Sequence, residues 1–313
     1  MGLGFNKTEM STDISVIILT YNEEMHIKRC IENVKPWVRD VFVVDSLSTD
    51  RTAEIAEGLG ARVFRNVWLG LYASQFNWAL DNLPIRTEWV LRLDADEYLT
   101  DGLIEEIKAK LDALPGDVAG CVFNRGYVFM GRWIRRGGTY PVKLLRLFRH
   151  GKGRCEERMM DEHIELMEGR PVELLGVFFD HNLNDIGWWS AKHNGYALRE
   201  AVDLLDIEYD LSVQEHKSAK NTEALGKQAA AKRAKKLKYA RMPLCWRAFA
   251  YFLYRYLLKG GFLEGKEGFL WHFLQGWWYR TLVDAKIWEI KRESGRDREK
   301  MLALLRGKYG MKI

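Results

Sequence analysis

The chain has 313 residues, of which 47% are hydrophobic and 29% charged, with a net charge of +5. That length admits one large α/β domain or one domain with a helical appendage, and the composition excludes a disordered or low-complexity chain. Cys30, Cys121, Cys155 and Cys245 lie far apart, which excludes a zinc ribbon or a secreted disulfide scaffold, so a reducing, cytoplasmic compartment is expected.

Ile14 to Thr20 is mainly β-branched or apolar and ends in the polar turn Tyr21-Asn22-Glu23-Glu24, the pattern of a buried strand feeding a helix. The alternation repeats. Val41 to Val44 is a second expected strand, Arg51 to Leu59 a helix closed by Gly60, Ala61 to Phe64 a third strand, Tyr72 to Asp81 a helix and Trp89 to Leu93 a fourth strand. Strands separated by single helices imply an α/β fold with a mostly parallel sheet covered on both faces. After Gly116 the segments Val118 to Asn124, Tyr127 to Met130 and Val142 to Phe148 read as strands of a mixed sheet, and helical character returns from about Trp188. The expected division is a catalytic domain over residues 1–220 and a helical region over 221–313.

Ligands of open α/β sheets bind beyond the carboxyl ends of the strands. Thr20-Tyr21-Asn22 follows the first strand, Asp45-Ser46 the second and Asp94-Ala95-Asp96 the fourth, so three polar clusters distant in sequence should meet along one edge. Two carboxylates one residue apart can gather oxygen ligands around a hard divalent cation, which would neutralise a departing pyrophosphate. The plain alternative is that Asp94 and Asp96 only cap the helix starting near Asp101.

Ile17-Ile18-Leu19-Thr20-Tyr21-Asn22-Glu23-Glu24, then Val43-Val44-Asp45-Ser46-Leu47-Ser48-Thr49-Asp50-Arg51-Thr52, then Leu93-Asp94-Ala95-Asp96-Glu97 resemble, in that order and spacing, the inverting glycosyltransferases of family 2. Within that family the chain is similar to the bacterial enzymes that build lipopolysaccharide core and related surface glycans. The resemblance covers residues 13 to 200 and implies a GT-A fold. It further implies that Thr20, Tyr21 and Glu23 line a nucleoside pocket, that Asp45 bonds the base, usually uracil, that Asp94 lies near the ribose and the metal, and that Asp96 ligates Mg²⁺ or Mn²⁺. A UDP-hexose donor is the default it carries. Ser46-Leu47 departs from the Asp-Gly that many members have at this point.

An inverting displacement needs a base on the acceptor side of the sugar. Met160-Asp161-Glu162-His163 supplies two carboxylates at the distance from the metal motif where the family places an acidic pair, so Asp161 and Glu162 are the candidates, with Glu162 narrowly preferred over its neighbour. An exposed acidic turn is the alternative. His181, in Phe179-Asp180-His181-Asn182, stands where some GT-A enzymes place a further metal ligand. Among the cations between Arg132 and Arg149, Arg136, Arg146 and Arg149 are candidates for binding acceptor or donor phosphates, against the alternative of charged strand edges. Lys192-His193-Asn194-x-Tyr196 resembles a helix after the catalytic core of this group.

In the C-terminal third, Lys227 to Arg241 carries Lys227, Lys232, Arg233, Lys235, Lys236, Lys238 and Arg241 with no acidic residue, a run that asks for an anionic partner. Trp246, Phe249, Phe252, Leu253, Tyr256 and Leu257 recur at helical spacing, with Arg247, Tyr251 and Arg255 on another face, and Trp271, Trp277, Trp278 and Tyr279 follow. Rings with polar edges suit the headgroup layer. The expectation is therefore an enzyme peripheral on the inner face of the cell membrane, with a lipid-linked or lipopolysaccharide-type acceptor; packing of these helices on their own protein is the alternative. No stretch reaches the roughly 18 uncharged apolar residues of a spanning helix, and residues 1–13 lack the apolar segment of a signal peptide.

Two rival classes remain on these residues. A nucleotidyltransferase would usually carry a glycine-rich phosphate loop, and Ile14 to Glu24 contains no glycine. A non-catalytic membrane-peripheral or nucleic-acid-binding module would explain the basic run but not Asp94, Asp96, Asp161 and Glu162, and no nucleic acid partner is expected.

Overall fold

The computed structural model describes residues 11–68, 70–156, 162–211, 239 and 242–311. They fall into two compact units, one made up of the described residues within 11–126, 142–156 and 163–183, the other of those within 127–141, 162 and 184–311.

The first unit opens with the expected alternation: β1 (Thr12–Thr20), α1 (Ile27–Val34), β2 (Val38–Asp45), α2 (Thr52–Gly58), β3 (Arg62–Arg65), α3 (Tyr72–Asn82) and β4 (Trp89–Asp94). Strands β3, β2, β1 and β4 are neighbours in that order and all parallel. Side-chain alternation along β1 explains the layers. Ile14, Val16 and Ile18 pack with Ile27, Cys30, Ile31 and Val34 of α1 on one face, while Ile17 and Leu19 pack with Ala73, Phe76 and Ala79 of α3 on the other.

Beyond β4 the sheet turns mixed, continuing through β8 (Val142–Arg149), β6 (Val118–Phe129), β11 (Arg170–Asp180) and β5 (Glu97–Leu99). β6 is one strand where two segments were expected, because the chain reverses only at Met130 and Gly131, both at positive φ, before β7 (Arg132–Ile134). Strands β9 (Gly153–Cys155) and β10 (Ile164–Leu166) form a small antiparallel pair. Helix α4 (Asp101–Lys110) is capped by Thr100, so Asp94 and Asp96 are not its capping residues.

In the second unit, α5 (Ile186–Tyr209) buries Ala197, Ala201, Leu204 and Leu205 against Val283, Ile287 and Ile290 of α8 (Tyr279–Glu293) and Met301 and Leu305 of α9 (Arg298–Gly307). Because α5 shares this core, residues 184–211 group with the C-terminal helices; the cut expected near residue 220 lies outside the described residues. His193 of α5 donates Nδ1–H to the Trp189 carbonyl and accepts at Nε2 from the Gln275 amide, both at 2.8 Å, which gives the Lys192-His193-Asn194 segment a packing role.

Helix α6 (Trp246–Leu253) runs on as a wider π-helical turn, Tyr254–Leu258, and after a 3-10 turn over Gly261–Glu264 the chain enters α7 (Gly265–Trp271) and a second π-helical stretch, His272–Trp278. The stripe expected here is corrected at its start: Trp246 is 73% exposed and Arg247 only 2%. Asp284 is the reason, for it takes the Arg247 Nε–H at 2.8 Å and the Cys245 backbone N–H at 2.7 Å, neutralising a cation that would otherwise stay in water. No helix among the described residues is long and apolar enough to cross a membrane.

Candidate active site

The order β3-β2-β1-β4 reverses direction at β1, and the register pairs Thr20 with Asp45 and Leu19 with Asp94. The ends of three strands therefore bring Thr20, Asp45 and Asp94 to one edge at the switch point, where such sheets bind ligands. With strands spaced by about 4.8 Å, the outer two of these positions are roughly 10 Å apart.

At the β1 and β2 ends the polar groups first organise one another. The buried Thr20 hydroxyl donates to Asp45 Oδ1 at 2.9 Å, and Ser48 donates its backbone N–H to Asp45 Oδ2 at 2.8 Å and its hydroxyl to Oδ1 at 2.5 Å. Asn22 accepts the Thr49 N–H at 2.8 Å, while its own N–H donates to the Ser48 hydroxyl at the same distance. Tyr21 stands exposed beside this loop. Leu47 is held at φ +63°, in the left-handed region that glycine enters freely. Glu23 accepts Nδ1–H of the buried His26 at 2.6 Å, and His26 Nε2 in turn accepts the Leu183 N–H at 2.8 Å.

The aspartate motif forms a corner. β4 ends at Asp94, a two-residue turn presents Asp96, and β5 pairs antiparallel with the end of β11, Asp180 opposite Glu97. His181 N–H bonds the Asp96 carbonyl at 3.0 Å and the Asn182 amide donates to Asp96 Oδ2 at 3.0 Å, so His181 and Asp96 are neighbours although 85 positions separate them. Arg29 of α1 fastens the corner, giving guanidinium hydrogens to the Asp96 carbonyl at 3.1 Å, the His181 carbonyl at 2.6 Å and His181 Nδ1 at 3.1 Å. Burial, then the Arg29 charge and His26, lower the His181 pKa, so its ring is neutral near pH 7.

Behind the corner lies a charge network in which Arg92, Glu97 and Arg146 are buried while Asp94, Arg125 and Asp180 are half-exposed. Arg146 contacts Glu97 at 2.5 Å and Asp94 at 3.4 Å, Arg92 stands 3.7 Å from Asp94, and Arg125 stands 3.9 Å from Asp180. Glu97 Oε2 also accepts the Asp94 N–H at 3.0 Å, fixing the backbone of the motif. Burial, reinforced by Asp94 and Asp180 against the pull of Arg146, pushes Glu97 up to about 8. Asp94 feels burial too, but Arg146, Arg92 and Arg125 together outweigh it and hold its carboxyl below the usual range. One acid is thereby kept near neutral and its neighbour ionised.

Several expected residues fall elsewhere. Arg149 pairs with Trp89 at the start of β4, its Nε–H bonds the Val118 carbonyl at 2.8 Å and it salt-bridges Glu88. Five residues of extended strand, roughly 16 Å, separate that level from Asp94, so it does not reach the corner. Arg146 is at the corner but buried among carboxylates, a partner of Asp94 and Glu97 rather than an open phosphate contact. Arg136 belongs to the second unit, where its N–H donates to Glu264. Glu162 is half-buried in a segment grouped with that unit, and Asp161 lies outside the described residues, as does the basic run except Tyr239. Among the described residues no three His, Cys, Asp or Glu side chains converge enough to hold a metal by themselves.

A doubly covered α/β sheet with carboxylates at its switch point places the candidate site where folds of this class bind their ligands. Residues 15–165 match the profile of Glycosyl transferase family 2. An uncharacterized glycosyltransferase of Rickettsia typhi is 30% identical over 266 residues, covering 82% of this chain and 80% of its own. The lipopolysaccharide core biosynthesis glycosyltransferase LpsC of Rhizobium meliloti is 32% identical over 148 residues, 46% of this chain and 53% of its own. The solved glucosyl-3-phosphoglycerate synthase of Mycobacterium tuberculosis, in complex with Mn²⁺, uridine diphosphate and glucosyl-3-phosphoglycerate, aligns with 38% of this chain and 45% of its own at 23% identity and a TM-score of 0.31. The chain belongs to glycosyltransferase family 2, and it is a glycosyltransferase.

Proposed function

We propose that this enzyme transfers a hexose from UDP, with inversion, to a lipid-linked or lipopolysaccharide-type glycan acceptor at the inner face of the cell membrane. The observation that carries the reading is the corner where Asp94, Asp96, His181 and Asn182 meet beside Thr20 and Asp45 on one sheet edge. The similarity to LpsC supports the acceptor class, and the basic run from Lys227 to Arg241 supports an anionic membrane surface as partner.

The donor set suits Mg²⁺ or Mn²⁺. Asp94 and Asp96 offer hard carboxylate oxygens, and such ions need only one or two carboxylates when substrate phosphates and water complete the shell. When bound, the ion would neutralise charge on the departing diphosphate. His181 suits it less well, since Arg29 occupies Nδ1 and leaves the ring its proton at Nε2.

The chain's own residues do the rest. The Thr20–Asp45–Ser48 cluster shapes the base and ribose pocket with Tyr21 and Glu23 at its rim. Glu162, or Asp161 beside it, accepts the acceptor hydroxyl proton as that oxygen bonds the anomeric carbon from the face opposite the nucleotide. The bond from that carbon to phosphate oxygen breaks, and UDP leaves with the electron pair.

Calorimetric titration of UDP, GDP and CDP, with and without Mn²⁺, tests the donor and the metal together. Metal-dependent binding of UDP alone, lost in Asp96→Ala, is the expected result. Folded protein that binds none of the three sinks the reading, and normal transfer by both Glu162→Ala and Asp161→Ala removes the assignment of the base.

A further inference from the structure

Between α6 and α7 the second unit turns back on itself through Leu257-Leu258-Lys259-Gly260-Gly261-Phe262-Leu263. Four large apolar side chains project from these seven residues: Leu257 is 51% exposed, Leu258 80%, Phe262 50% and Leu263 54%. Lys259 and Lys266 stand exposed beside them, as do Tyr254 and Phe269. A groove of about 530 Å³ lined by Tyr256, Phe262, Lys266, Phe269 and Leu270 extends the apolar surface along α7.

The turn cannot hide these side chains by folding inward, because its inner side is already fastened. Gly137 donates its N–H to the Lys259 carbonyl at 3.1 Å, and Arg255 bonds the Gly137 carbonyl at 2.7 Å and the Thr139 hydroxyl at 2.6 Å. Glu264, buried at the end of the turn, accepts the backbone N–H groups of Arg135 and Arg136 at 2.6 and 3.0 Å. Gly260, at φ +72°, makes the reversal with no side chain to strain.

We propose that this turn is a bilayer-insertion element: Leu257, Leu258, Phe262 and Leu263 enter the acyl layer of an anionic membrane, while Lys259 and Lys266 remain with the headgroup phosphates. Charge and composition select this occupant. Lysines flanking an apolar tip match a negative lipid surface and can extend back to it. A stable protein interface needs about 800 Å² from each partner and leans on Trp, Tyr and Arg, with Leu under-represented. A leucine-rich turn flanked by Lys259 and Lys266 has the other composition, since lysine too is depleted from interface cores. The proposal rests on the reading that the enzyme works at a membrane, and narrows that contact from the whole C-terminal third to one turn.

The test uses the full chain, with Leu258→Glu and Phe262→Glu, cosedimented with vesicles of phosphatidylcholine alone or mixed with phosphatidylglycerol, at low and high salt. Both residues are exposed, so the variants should fold and keep wild-type affinity for UDP. The expected result is wild-type binding to the mixed vesicles that partly survives high salt, and a loss of roughly ten-fold or more in each variant. Variants that bind like wild type would overturn the proposal and leave the basic run as the membrane contact. A wild-type chain that ignores both vesicles would overturn the membrane location as well, leaving UDP binding and transfer to be judged separately. A lipid-free dimer dissolved by Leu258→Glu would give the turn to a second copy instead.

Discussion

Arg29 aims one guanidinium nitrogen at Nδ1 of His181, 3.1 Å away, and another at the carbonyl of the same residue, 2.6 Å away. Arginine has no acceptor, so Nδ1 must be the acceptor and the neutral ring carries its proton at Nε2. His181 then has an Nε2–H to offer as a hydrogen-bond donor. Nitrogen NMR of the free protein should show the Nε2–H tautomer, and Arg29→Met should release it and cost roughly 2–3 kcal/mol in urea unfolding, the worth of lost charge-assisted bonds to carbonyls. If the donor is what matters, His181→Gln should keep nucleotide affinity that His181→Ala loses. Equal loss in both would mean that the ring nitrogen serves as a ligand.

Arg146 is the common partner of Glu97 and Asp94. Removing it takes the main compensating charge from an ionised, half-exposed Asp94 beside a protonated Glu97, so Arg146→Met should destabilise the first unit by about 1–3 kcal/mol, less than the loss of a partner from a fully buried ion pair. Glu97→Gln keeps the shape and should cost less. A double-mutant cycle gives the coupling directly; coupling near zero would mean that water already screens this pair.

The loop after β2 offers a gain rather than a loss. Leu47 is exposed and sits at φ +63°, so its side chain adds strain without burying much surface. An L residue pays about 1–2 kcal/mol in that region, while glycine returns roughly half of the difference through the freer unfolded chain. Leu47→Gly should therefore raise stability by about 0.5–1 kcal/mol. A lower urea midpoint would show that Leu47 makes a contact worth more than the strain.

The same loop shows how far the sequence could be read. β1, β2 and β4 were legible because β-branched runs ended in polar clusters, and their register had to bring Thr20, Asp45 and Asp94 to one edge. Arg29 was not, since one cation on an amphipathic helix looks like solvated surface until β11 returns to meet it. Glu97 was hidden beside the aspartates it supports. Arg92 did leave a signal: a cation inside Val90-Leu91-Arg92-Leu93 has to find an acid when the strand is buried. The place of Arg149 was not legible either, because only the antiparallel register carries it to the far end of β4 from Asp94.

His193 makes the acid stability of the second unit predictable. Burial is the main cause pushing its pKa down to about 4, with Lys192 adding to it against the Trp189 carbonyl, which favours the charged ring. The neutral ring satisfies both neighbours, and protonation at Nε2 would put a hydrogen against the Gln275 amide that now donates to it. In the unfolded chain the group titrates near about 6.5. Between those values the unfolded state binds the extra proton, so the stability contributed by neutral His193 is complete above about 6.5 and drains away as pH falls toward 4. His272, also buried and lowered to about 4, acts with the same sign. The urea midpoint of the second unit should fall from pH 7 to pH 5, whereas Glu97 of the first unit, raised to about 8, acts with the opposite sign, and His193→Asn should show a smaller fall whatever its stability at pH 7. An unchanged slope in that variant would place the acid sensitivity in His272 or in the carboxylates, and would show that the His193–Gln275 bond survives protonation by rotating the amide.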